Sequence, residues 1–158
     1  MFCNPCEYKN IKHILYHNTI VDNCKECNVC SIFLSDYDEL ITNIMIEYKI
    51  GNISRLTNIS ELNKSDKKKA EKFLSYFSIN FNELEKNDQK CNICNNDLFI
   101  YQFRKKSGIY ICLECMRIYF YMNEFDQYLD KVLKKCNNNY FIKIKRFLQK
   151  WSKNNVKK

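Results

Sequence analysis

Glycine and proline are almost missing from this chain. Gly51, Gly108 and Pro5 are the only ones in 158 residues, too few for a flexible linker or a glycine-rich loop that cradles phosphate. Long apolar runs are missing as well. No stretch approaches the roughly 18 apolar residues of a membrane-spanning helix, and MFCNPCEYKN carries no apolar signal segment. The expectation is a protein of a reducing compartment with no membrane partner, cytoplasmic, or nuclear if its partner is DNA. Arginine is scarce: Arg55, Arg104, Arg117 and Arg146 stand among 26 basic residues. A bidentate arginine on guanine is the commonest specific base contact, so dense base readout is disfavoured, and lysine suits diffuse contact with phosphates.

Cysteine is abundant. Eight of the ten cysteines repeat one pattern. Cys3, Cys6, Cys24 and Cys27 form C-x2-C-x17-C-x2-C, and Cys91, Cys94, Cys112 and Cys115 form it again 88 residues later. Each C-x2-C pair sets two thiolates on a tight turn, and the intervening loop returns the second pair, which suits one tetrahedral Zn²⁺ per quartet and two ions per chain. The same shift lays Phe33 on Tyr121, Leu34 on Met122, Asp36 on Glu124, Tyr37 on Phe125 and Asp38 on Asp126. One unit is used twice, a zinc module followed by a helix. The remaining cysteines, Cys30 and Cys136, fall opposite Ile118 and Tyr48, which marks them as core residues rather than ligands.

The expected fold is a small α+β zinc-binding one. Residues 1–50 form a first zinc module with its helix, 51–90 a helical connector, 89–138 the second module, and 139–158 a basic amphipathic tail. In the second module Leu98–Phe103 reads as a strand, RKKSG as a turn in which Gly108 supplies unusual dihedrals, and IYICLEC as a second strand. Asn123, and Ser35 in the first copy, are the expected helix caps. Each module is a zinc ribbon or a treble clef, the latter having its last cysteines at the helix start. Gly51 ends the first helix, and Asp66–Phe77 is a connector helix capped by Ser65 with Ala70, Phe73, Leu74 and Phe77 inward. Such short modules have little core of their own, so metal is expected to supply much of their stability.

Charge points to the partner. Of the net +8, seven charges belong to Lys143, Lys145, Arg146, Lys150, Lys153, Lys157 and Lys158, in a segment from Asn137 onward with no acidic residue. Phe141, Ile144, Leu148 and Trp151 interleave with them at helical spacing. Such a segment could dock on the protein, stack on bases or lie on a membrane surface, and nucleic acid is the first choice. Candidate contacts are Arg104, Lys105, Lys106, Arg117 and the seven tail cations, with Tyr101, Tyr119 and Trp151 as stacking aromatics. Catalysis is not expected, because both quartets are closed and four thiolates leave zinc a poor Lewis acid. His13 and His17 read as ordinary packing or hydrogen-bonding residues, and Asp36, Asp38 and Glu39 as the acidic first turn of a helix.

GIYICLECMRIYFYMNE, from Gly108 to Glu124, resembles GATA-type zinc fingers, which share the C-x2-C-x17-C-x2-C spacing. That family has a glycine, a tyrosine two before the third cysteine and a Met-Asn after the fourth. The resemblance implies double-stranded DNA binding, with the finger in the major groove and a basic tail behind it. Leu113 stands where the family has a base-contacting asparagine, and Gln102 where it has a tryptophan. The compact basic zinc chain, rich in Asn, Lys, Ile and Tyr, is also similar to small ribosome-associated factors, the microsporidian ribosome dormancy factors among them. That likeness implies a tRNA site on an idle ribosome. Three binding expectations follow: structured RNA, with ribosomal RNA and ribosomal proteins as partners; DNA, as a transcription regulator; and a protein-interaction adaptor.

Overall fold

Strand-forming runs and tight turns set the architecture. In the computed structural model, which describes residues 11–104 and 107–136, Ile11–Tyr16 (β1) and Thr19–Cys24 (β2) form a hairpin closed by His17 and Asn18. Both turn residues have positive φ, 47° and 61°, the two-residue geometry whose twist matches that of its strands. Val29–Phe33 (β3) runs directly into helix α1, Leu34–Glu47. A connector carrying helix α2, Lys64–Phe77, leads to Glu85–Lys90 (β4), Asp97–Arg104 (β5), Ser107–Cys112 (β6), Arg117–Tyr121 (β7) and helix α3, Met122–Lys135. The strands make one antiparallel sheet ordered β1-β2-β3-β7-β6-β5-β4. The fold is α+β, as expected.

The sequence repeat is carried by the backbone. β2 and β6, β3 and β7, and α1 and α3 begin and end 88 residues apart. The repeats meet where β3 pairs with β7, with Ser31 opposite Tyr119 at the centre of the pairing. Those two residues are equivalents under the 88-residue shift, so the join is isologous, like the interface of a two-fold dimer. Cys30 faces Phe120 on one side of the centre as Ile32 faces Ile118 on the other. Two hydrogen bonds obey the same symmetry: the Leu34 amide donates to the Met116 carbonyl at 2.7 Å, and the Met122 amide to the Asn28 carbonyl at 3.2 Å.

Those two bonds correct the expected helix starts. α1 and α3 begin at Leu34 and Met122, one residue before Ser35 and Asn123, and their N-caps Phe33 and Tyr121 make no side-chain bond. A carbonyl from the opposite repeat satisfies the first helical amide, so each strand enters its helix without a capping side chain. β7 also separates Cys115 from α3, so the last cysteines of the second repeat are not at the helix start that a treble clef requires.

Four further expectations shift. α2 is capped by Asn63, whose side chain accepts from the Asp66 amide at 2.8 Å, rather than by Ser65. Gly51 lies beyond the end of α1, at φ 62°, where an added Cβ would come within 2.5 Å of the Asp66 carbonyl; it lets the connector touch the first turn of α2. Gly108 is within β6, not in a turn, and there a Cβ would meet the Tyr101 carbonyl at 2.8 Å. The connector is not wholly helical either. Its last residues, EKNDQK, form the edge strand β4, a polar sequence held extended by pairing with β5.

The helices cover one face of the sheet. Val21, Cys30, Ile32, Ile109, Ile111, Ile118 and Phe120 from the strands pack with Leu40, Ile44, Phe73, Phe77, Phe125, Leu129 and Leu133 from the three helices. Each such side chain contributes about 1.5–3 kcal/mol on burial. Two modules that are small alone thus pool a single core. Tyr37 of α1 and Tyr128 of α3 donate to the Phe77 and Tyr76 carbonyls at 2.7 and 2.8 Å, so both repeats clamp the end of α2. Cys30 is fully buried in this core, and Cys136 packs half-buried against it.

Candidate metal centre

Two tight turns on the sheet face away from the helices bring four thiols together. Cys91 and Cys94 lie on the turn between β4 and β5, Cys112 ends β6, and Cys115 lies on the turn from β6 to β7. All four sulfurs fall within 4.8 Å of one another, with Cys94 to Cys112 at 3.4 Å and Cys91 to Cys115 at 3.9 Å. A tetrahedral ion with metal–sulfur bonds of about 2.3 Å has sulfur–sulfur edges of about 3.8 Å. The quartet could therefore hold a metal ion without rearranging its turns.

Local backbone chemistry prepares the site. The Asn95 amide closes the first turn onto the Cys91 carbonyl at 2.9 Å, with Asn95 at φ 61°. Amides of Ile93 and Cys115 point at Cys91 Sγ and Cys112 Sγ, each at 3.4 Å. The Asn96 side chain reaches Cys94 Sγ at 3.3 Å, and the Tyr119 hydroxyl lies 3.5 Å from Cys91 Sγ. Hydrogen bonds to a thiolate favour its ionised form, and the Cys94 thiol is drawn down to about 6, chiefly by the backbone amide of Asn96. Burial first, and then neighbouring thiols, pushes Cys112 and Cys115 up. Four thiolates this close repel one another, and a divalent cation is the natural counter-charge.

In the first repeat, Cys24 and Cys27 lie on a turn of the same build. The Asn28 amide donates to the Cys24 carbonyl at 2.8 Å and Asn28 has φ 61°, matching Asn95 over Cys91. Their expected partners Cys3 and Cys6 lie outside the described residues. Cys27 and Tyr121 pack against the small cluster of Val29, Leu98 and Tyr119 that also encloses the Cys91 quartet.

The expected nucleic-acid contacts divide into placed and unplaced. Arg104 ends β5. Lys105, Lys106, Lys143, Lys145, Arg146, Lys150, Trp151, Lys153, Lys157 and Lys158 lie outside the described residues. Arg117 is built into the sheet: its guanidinium donates to Ser31 Oγ at 3.0 Å, approaches Asp22 Oδ2 at 3.4 Å and stacks 4.2 Å from the Phe33 ring centre. All three partners belong to the first repeat, so Arg117 braces the join. Tyr119, expected as an exposed stacking ring, is 6% exposed, because it packs against Cys91 and Cys112 of the cysteine turns. Tyr101 is half-buried against Phe103.

The two histidines have separate partners. His13 Nδ1 meets Asp22 Oδ1 and His17 Nδ1 meets Glu47 Oε2, each at 2.5 Å, in keeping with ordinary hydrogen-bonding roles. Residue-type patterns missed Asn96 and Tyr119 as groups touching the sulfurs, because neither belongs to the cysteine spacing. They also passed over the lysines of α2, although DKKKAEK is plain in the sequence. No family model matches this chain, and neither the curated proteins nor the solved structures yield a match, so the chemistry of the site itself must carry the functional reading.

Proposed function

We propose that both cysteine quartets bind Zn²⁺ as structural ions and that the protein is a non-catalytic factor for structured RNA, seated on the ribosome. The observation that carries this reading is the closed four-sulfur geometry of Cys91, Cys94, Cys112 and Cys115. An ion there has no open position for water or substrate, so its role is to fix the turns rather than to do chemistry. What remains is binding. The chain is strongly cationic, its cations are mostly lysine, and seven of them follow Asn137, which matches phosphate contact better than base readout. The turn shared by Cys24–Asn28 and Cys91–Asn95 supports a second ion held by Cys3, Cys6, Cys24 and Cys27. Occupation of a tRNA site on an idle ribosome, in the cytoplasm and beside ribosomal proteins, is the most specific form of the reading.

The GATA-like DNA reading rests on the cysteine spacing. Against it, Leu113, 40% exposed, occupies the base-contacting place, and an apolar side chain there supplies no hydrogen bond to a base edge. The adaptor reading needs neither polymer. Sedimentation of native lysate through a sucrose gradient, with and without ribonuclease, separates the three. Comigration with intact ribosomal particles is expected. A light position insensitive to nuclease sinks the ribosomal reading and promotes DNA-site selection. Elemental analysis should return two zinc ions per chain, and one after Cys91→Ser.

A further inference from the structure

The helical side of the molecule carries a concentration of lysine that the sheet side does not. On α2, Lys68 and Lys69 stand four and three residues before Lys72 and all three are exposed, so they share one flank of the helix. On α3, Lys131, Lys134 and Lys135 do the same in its last turns. The two flanks meet. Lys72 Nζ donates to the Lys135 carbonyl at 3.3 Å, and Lys135 Nζ lies 5.5 Å from the Tyr76 ring centre. Tyr128, two turns earlier on α3, bonds the Tyr76 carbonyl, so the helices run in opposite directions along this contact. The chain leaves α3 beside Lys72 and continues into the basic segment from Asn137.

Among the described residues, none of these six lysines forms an ion pair with a carboxylate. On the sheet side, Lys86 and Lys90 meet Asp97 and Arg117 meets Asp22, while Lys12 and Lys25 make one smaller pair of neighbouring cations. Six like charges on two packed helices repel one another, and an external polyanion relieves that repulsion. A membrane surface fits less well, because anchoring on lipid needs apolar side chains beside the cations. Of the exposed large apolar residues, Leu15, Ile20, Phe33, Ile93, Leu113 and Met116 belong to the sheet and its turns and Leu56 and Phe81 to the connector on either side of α2; none is on α2 or α3 themselves.

We propose that Lys68, Lys69, Lys72, Lys131, Lys134 and Lys135 form a ridge that grips the phosphate backbone of folded RNA. The inference rests on the RNA reading above and assigns its contact surface. The full chain, zinc-loaded, is titrated against a fluorescein-labelled RNA hairpin of about 30 nucleotides and its DNA counterpart over a range of salt. Lys68→Gln/Lys69→Gln/Lys72→Gln and Lys131→Gln/Lys134→Gln/Lys135→Gln are compared with Lys86→Gln/Lys90→Gln. At about 0.7–0.9 per lost phosphate contact, each helical triple flattens the log–log salt slope by about 2–3 units and weakens binding by about 100-fold or more near 0.1 M salt.

The control pair should leave the slope unchanged. All these side chains are exposed, and circular dichroism checks that folding survives. Equal losses on RNA and DNA would identify plain backbone contact, and larger losses on RNA would identify recognition of its fold; both support the ridge. Unchanged slopes in both triples, with wild-type binding intact, overturn the ridge but leave the RNA reading standing. Absence of wild-type binding near 50 mM salt overturns both.

Discussion

Replacing Arg117 with alanine separates a brace from a nucleic-acid contact. The side chain is 18% exposed and makes three contacts across the join between repeats. The bond to Ser31 Oγ at 3.0 Å is charge-assisted and contributes about 1.5–3 kcal/mol. The partly exposed pair with Asp22 adds less than about 1 kcal/mol, and the stack on Phe33 about 0.5–1 kcal/mol. The terms are not additive. Asp22 keeps His13 as a partner at 2.5 Å, so no carboxylate is left stranded, and a net loss of about 2–3 kcal/mol is expected.

For a fold of this size that loss lowers the melting temperature by roughly 10 °C. Arg117→Lys should recover little of it, since an ammonium lacks the planar fork that bonds Ser31 while stacking on Phe33. Thermal melting followed by circular dichroism reads the stability, and the salt dependence of binding to the RNA hairpin reads the contact. An unchanged melting temperature with a slope flattened by about one unit would refute the brace and return Arg117 to the phosphate contacts.

Metal removal should act unevenly. The Cys91 quartet belongs to a small cluster on the far side of the sheet, whereas the main core lies under the helices; chelation is expected to speed amide exchange at residues 91–96 and 112–116 well before α1 and α3 lose protection. Simultaneous loss of protection in turns and helices would show that the shared core cannot stand without metal. Burial pushes the Cys30 thiol up from 9.0 to about 12, so its share of the stability is full below pH 9 and is lost as pH rises toward 12. Denaturant midpoints measured from pH 8 to 12 should fall less steeply for Cys30→Val than for wild type, and parallel profiles would count against this. Met116, half-exposed and at φ 53°, takes the place that Asn28 holds in the other repeat. Met116→Asn should therefore stabilise by about 0.5–1 kcal/mol, raising the melting temperature by a few degrees, and a lower value would mean that the methionine side chain packs usefully.

Much of the site was legible in the chain because its geometry is local. A C-x2-C turn is closed by bonds between residues two to four apart, as at Cys91–Asn95 and Cys24–Asn28, so spacing alone marks it. The second strand pair and all three helices were visible in residue pattern for the same reason. What failed was whatever depended on the opposite repeat. The expected caps Ser35 and Asn123 were the best polar candidates nearby, but Asn28 and Met116 satisfy those amides from 94 and 82 positions away. EKNDQK has no strand pattern and becomes β4 by pairing with β5. Arg117 and Tyr119 looked available to a partner until the join and the cysteine turns enclosed them.

The sequence by itself determined the eight-cysteine repeat, its 88-residue period, the strands of the second unit, the helix that follows each unit, and the concentration of positive charge after Asn137. Those features are written in nearest-neighbour spacing and in composition. Only the tertiary structure decided that the units fuse through β3 and β7 about Ser31 and Tyr119, that they share one core, and that the lysines of α2 and α3 form one ridge. Pairing between strands so far apart is selected by the apolar faces it buries together, and no local periodicity records which faces those will be.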